Sequence, residues 1–218
     1  MKQDEMYYDI ITELFNISVG KAAGILSEIV NRKIILDVPE IKLILKEEDA
    51  VDLDACISDK ISGALMVSSI SFENNLKGKA NLIFPTEKMK KFIHLCMNEE
   101  VAGKDDFFSI SEEEMDFTPI DFDVIMEIGN IVLNCIMGEI GNFLKVNFNY
   151  SLPDVKIFDR QTFYNDSEND GYSHVLVLHI TFVIDEIEIE GAIIVDLTLS
   201  SIQILLEKIK ELEAEFHV

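Results

Sequence analysis

The apolar positions of this chain recur with two different periods, and the switches between them mark out its elements. From about Asp4 to Val30 they fall at helical spacing, with Ile10, Ile11, Leu14, Ile17, Ile25, Leu26 and Ile29 assigned to the buried side, which predicts a long first helix. Alternating and β-branched runs predict strands over Lys33–Leu45, Val51–Ser58, Ser62–Phe72 and Lys79–Phe84, the last after a turn at Asn74 and Asn75. Pro85 is placed to open a helix reaching about Met97. The acidic stretch Glu99–Asp116 has no sustained period and reads as a connection. The order then repeats, with a helix over Ile120–Phe143, strands over Val146–Phe158, Ser173–Val183 and Glu186–Val195, and a closing helix over Leu199–Glu215. The polar segment Arg160–Gly171 reads as a loop by composition.

An offset of 114 residues brings the two halves into line. Asp9, Glu13, Asn16 and Pro39 of the first half then match Asp123, Glu127, Asn130 and Pro153 of the second, each set spaced D-x3-E-x2-N-x22-P. The chain has only 4 prolines in 218 residues, so a proline at a preset position is about a 2% coincidence, before the other three matches are required. Duplication is the better account. The expected architecture is α+β: one domain over 1–218, built of two pseudo-symmetric repeats, 1–98 and 119–218, joined by a linker at 99–118. Each repeat is a long helix, antiparallel strands and a closing helix, and the two share a continuous sheet.

Asp, Glu and Asn at i, i+4 and i+7 share one narrow arc of a helix. At 100° per residue Ile10, Leu14 and Ile17 lie to one side of the first triplet, as Val124, Ile128 and Ile131 do beside the second, so both triplets are expected to face outward. An exposed Asp or Glu is ordinarily just solvated. Asparagine is a mediocre helix former, and its presence mid-helix in both copies has no propensity rationale. Its carboxamide is no general base near neutral pH, but it donates and accepts hydrogen bonds at once, which suits positioning a water. Phosphoryl transfer needs in-line alignment and charge neutralisation more than covalent help. Neither triplet supplies a Lys, an Arg or a metal cage, so the neutralising charge has to come from a partner.

Composition narrows the partners. The apolar share of 48% is that of a folded globular protein, and the net charge of −23 repels polyanions, so neither nucleic acid nor membrane insertion is expected. Lys88, Lys90 and Lys91 are the nearest approach to a basic patch and read as a solvated helix face. Cys56, Cys96 and Cys135 are odd in number and lack a CxxC pair, which fits a reducing cytoplasm. The N-terminus lacks a signal-peptide pattern, and no apolar stretch is expected to approach the roughly 20 residues of a membrane span. The four histidines show no metal-ligand spacing, so no metal site is expected, and P-loop and nucleophile-elbow motifs are absent.

The doubled signature resembles that of the CheC, CheX and FliY phosphatase family, [DS]-x3-E-x2-N-x22-P, and the helices ELFNISVGKAAGILSEIVNRKI and EIGNIVLNCIMGEIGNFLKV look like that family's two signature helices. The resemblance covers essentially the whole chain. It implies hydrolysis of the aspartyl phosphate of a CheY-type response regulator in chemotaxis or related two-component signalling. Asn16 and Asn130 would align the attacking water, and Glu13 and Glu127 would engage the receiver's active-site lysine. Pro39 and Pro153 would shape the site, Asp9 and Asp123 would hold an accessory position, and the Mg²⁺ would be the receiver's. The doubled signature favours CheC over CheX, which keeps one, and FliY adds a C-terminal switch domain not expected here. Resemblance also implies the deamidase CheD as a partner. A non-catalytic module that sequesters the phosphorylated receiver, or regulates CheD, is the alternative. One difference between the copies stands out: four residues after the asparagine the first helix has Gly20 and the second has Asn134.

Overall fold

Helix α1 (Lys2–Val30) buries Ile11, Phe15, Val19, Ala22, Leu26 and Val30, a stripe at spacings of three and four. This corrects part of the expected buried face, because Ile17, Ile25 and Ile29 are 44%, 43% and 61% exposed. Apolar residues occupy two sides of this helix, and periodicity alone does not say which side meets the core. The same surplus makes Ile10–Val30 long and apolar enough to cross a membrane by length and composition, where the sequence reading expected no such stretch. In the fold this segment is a core helix, with its buried stripe part of the main apolar core.

The computed structural model describes residues 2–45, 61–97, 116–169, 172–184 and 187–216. The expected strand Val51–Ser58, Cys56, and residues 99–115 of the connection lie outside them. Three strands follow α1: β1 (Ile34–Leu45), β2 (Leu65–Asn74) and β3 (Gly78–Pro85). Helix α2 (Thr86–Cys96) comes next, with Pro85 at its N-cap rather than inside it. The second half runs α3 (Pro119–Leu144), β4 (Phe148–Tyr150), β5 (Asp154–Phe158), α4 (Arg160–Asn169), β6 (His174–Ile184), β7 (Ile187–Leu197) and α5 (Leu199–Phe216).

Two expectations in the second half change. The segment read as a loop is helix α4, started by Asp159, whose carboxylate accepts from the Thr162 backbone N–H at 2.9 Å, and anchored by the buried ring of Phe163. The strand expected over Val146–Phe158 is broken into β4 and β5 at residues 151–153.

The seven described strands form one antiparallel sheet in the order β1-β6-β7-β3-β2-β4, with β5 also on β2. The first strand of each half thus pairs with the other half, and β3 and β7 meet at the centre. There Ala80 faces Val195 and Asn81 faces Ile194, pairs that interchange under the 114-residue offset. Asn31 (φ 55°) and Lys145 (φ 57°), the left-handed residues that end α1 and α3, also differ by that offset.

Helices α1, α2, α3 and α5 pack on one face of the sheet around a core that includes Phe15, Phe72, Phe92, Ile136, Phe182 and Ile209. A smaller cluster, with Val67, Val175 and Ile194 under Ile61 and Phe163, covers the other face. Central strands buried on both faces explain the near-continuous apolar runs of β6 and β7.

Candidate functional site

The two long helices lie side by side, tied across their outer surface by an ion pair between Lys21 and Glu139. Helix α3 is fixed at both ends. Thr118 and Asp121 form a capping box, with Pro119 behind the cap, and Lys145 closes the C-terminus through backbone bonds to Asn142 and Gly141. At the end of α1, Ser27 Oγ donates to the Ala23 carbonyl at 2.6 Å and accepts from the Ile34 N–H at 2.9 Å, setting the entry into β1.

On these helices Glu13, Asn16, Asp123 and Glu127 are exposed and Asn130 is half-buried. Asp9 is in α1, but its side chain is not among those described. Among the described residues no group of three His, Cys, Asp or Glu side chains is placed to hold a metal ion. Both prolines fall where an edge strand is interrupted. Pro39 sits in β1 at the register shift between Asp37 and Glu40, and Pro153 lies in the gap between β4 and β5. In that gap Ser151 stays fastened to β2, its Oγ accepting from the Ser71 N–H and its N–H donating to the Ser71 carbonyl, both at 2.9 Å.

The two asparagines differ in setting. Asn134 Nδ2 donates to Asn130 Oδ1 at 2.6 Å, while Gly20 gives Asn16 no such neighbour. Helix α3 also comes closer to the sheet than a side chain would allow, since a Cβ on Gly129 would lie 2.0 Å from Ser68 Oγ and 2.5 Å from Ser68 Cβ. The matching residue of α1 is Phe15, a buried ring. Alanine in mid-helix is ordinarily better than glycine by about 1 kcal/mol. Gly129→Ala is nonetheless expected to lower stability by about 1–3 kcal/mol through overpacking. Adding Ser68→Gly should restore much of that loss; urea unfolding of the two single variants and the double variant measures the coupling.

A groove of about 470 Å³ runs between the helices, with Gly24 and Gly138 among its walls and Cys135 and Asn134 beside them. Burial pushes the Cys135 thiol up, with Lys21 opposing and Glu139 adding to the shift, and burial pushes Cys96 up to about 12 despite Arg32. Both thiols therefore stay protonated at neutral pH and are poor nucleophiles.

No family model matches the chain. The chain is 28% identical over 160 residues to the CheY-P phosphatase CheC of Bacillus subtilis (strain 168), which spans 72% of this chain and 68% of that protein. The chain is thus similar in sequence to CheC, a member of the family that its doubled signature resembles. FliY of Thermotoga maritima has the same fold, with a TM-score of 0.69 at 18% identity over 93% of this chain and 95% of that one. The FliM middle domain from H. pylori is also similar, with a TM-score of 0.56 at 10% identity over 90% and 94% of the two chains. At these identities the two structures speak for the fold alone.

The sequence reading missed two features of the site. Lys90, expected on a solvated face, is buried and holds the N-terminus of α3 through Asp121, and Asn134 was noted as a difference without a role. The available signal for Asn134 was two amides at i and i+4 on one helix face.

Proposed function

We propose that the chain hydrolyses the aspartyl phosphate of a phosphorylated CheY-type receiver. Asn16 and Asn130 each orient a water for in-line attack, and Glu13 and Glu127 each engage the receiver's active-site lysine. The phosphate, that lysine and the Mg²⁺ come from the receiver. The two triplets are acidic and bring no cation of their own, so they approach a phosphoryl group only where the partner already neutralises it.

The observation that carries this reading is an exposed glutamate on each of two adjacent helices with an asparagine one turn after it, exposed at Asn16 and half-buried at Asn130. Asp123 stands one turn before Glu127 and is assigned an accessory contact, as is Asp9 by its place in the signature. Pro39 and Pro153 shape the edge strands. CheY-P is what the related CheC is named for, which supports the substrate class. The competing reading, capture of a phosphorylated receiver without hydrolysis, has no use for a water-orienting amide.

The deciding measurement is the lifetime of phosphate on a receiver charged with a small-molecule phosphodonor, with and without substoichiometric protein. Turnover of many receivers per protein molecule is the expected result. Binding with an unchanged phosphate lifetime would establish capture instead.

A further inference from the structure

The Asn134 side chain is a poor choice for stability. Asparagine has low helix propensity, and here its own Oδ1 is buried without a hydrogen-bond partner. Its amide nitrogen donates to Asn130 Oδ1 at 2.6 Å. An amide oxygen has two acceptor sites, so this bond occupies one, fixes which way the carboxamide is turned, and leaves the second acceptor site and the Asn130 NH₂ available.

We propose that Asn134 is a positioning residue that holds the Asn130 carboxamide pre-oriented, so that the second site is set before a receiver arrives and the first is not. This rests on the reading that Asn130 aligns the attacking water. A free asparagine samples several χ1 and χ2 wells, and each encounter at an unclamped site has to fix them during the reaction. The clamp therefore acts on turnover and not on docking, since the contact assigned to docking is that of Glu127 and not of the amide. In the first helix Gly20 occupies the matching position, and a Cβ there would meet nothing within 4 Å, so the missing clamp can be installed.

The test separates the sites. In an Asn16→Ala background, where only the second site works, Asn134→Ala is expected to lower kcat about tenfold, the worth of one hydrogen bond, with KM unchanged. In an Asn130→Ala background, Gly20→Asn is expected to raise kcat by a similar factor. Side-chain amide NMR of the free protein gives a readout independent of turnover: the Asn130 NH₂ pair should be displaced from the free-asparagine position and return to it in Asn134→Ala. An unchanged or increased kcat in Asn134→Ala, while Asn16→Ala/Asn130→Ala is inactive, overturns the clamp and leaves the catalytic reading intact. Full activity in Asn16→Ala/Asn130→Ala overturns both.

Discussion

With Asn16 and Asn130 both replaced by alanine, the aspartyl phosphate of the receiver is expected to decay at its unaided rate, a loss of about 100-fold or more in the acceleration. Alanine can neither accept from a water nor donate to a phosphoryl oxygen. It is a better helix former than asparagine by roughly half a kcal/mol or more at an exposed mid-helix position, so the Asn16 change should not destabilise α1. At Asn130 the lost bond from Asn134 offsets that gain. Thermal unfolding of the double variant should therefore stay close to that of the parent, which separates lost chemistry from lost fold. Receiver affinity should also persist, because Glu13 and Glu127 remain exposed. Each single variant keeps one working site. A double variant that still shortens the phosphate lifetime would show that the amides do not align the water.

The parts of this protein that were legible in its sequence are those governed by periodicity and covalent constraint. Long helices announce themselves over seven or eight turns, and central strands buried on both faces read as unbroken apolar runs. The signature spacing placed Glu13, Asn16 and Glu127 correctly on outward faces because helix geometry alone decides it. Helix α4 was illegible because its described side chains hold it by the Asp159 cap, the buried ring of Phe163 and the Arg160 bond to the Ile61 carbonyl, not by periodic spacing. Ile17, Ile25 and Ile29 were misplaced because α1 is apolar on two sides and only contact with α3 and β1 selects one. Gly129 was equally silent, since its role depends on Ser68 of a distant strand.

Those misses share a physical cause: each depends on what an element meets, not on what it is. The same cause makes the two sites unequal. A glycine that lets α3 approach β2, and an asparagine one turn past Asn130, both act through neighbours, and both are present in only one of the two helices at the matching positions. Equivalence of sequence motifs therefore does not carry over to equivalence of setting.

Lys90→Met is expected to be the most destabilising single change outside the apolar core, at about 3–5 kcal/mol. Lys90 is 8% exposed and Asp121 is 2% exposed, and their charged groups lie 2.7 Å apart. Lys90 also donates to the Asp116 carbonyl at 3.0 Å and stands 5.4 Å from the centre of the Phe117 ring, so one ammonium fastens α2 to the start of α3. Methionine preserves the volume but leaves the Asp121 carboxylate buried without its counter-charge. Burial works to raise the Asp121 carboxyl, and the hydrogen bonds from Lys90 and Thr118 outweigh it, holding the group below its ordinary value. A folded-state pKa below the unfolded one stabilises above the unfolded value of roughly 4, and the contribution disappears as pH falls through the folded value. In Lys90→Met the burial effect is left with only the Thr118 bonds against it, so the carboxyl rises and protonation relieves the buried charge. The gap between the parent and the variant should therefore be largest near pH 7 and narrow toward pH 4. Urea midpoints across that range measure it, and a gap independent of pH would mean that the lysine contributes by packing and not by charge. Asp121→Asn added to Lys90→Met should recover part of the loss at pH 7, because a neutral side chain can still accept from the Thr118 N–H and keep the cap of the helix that carries Asn130.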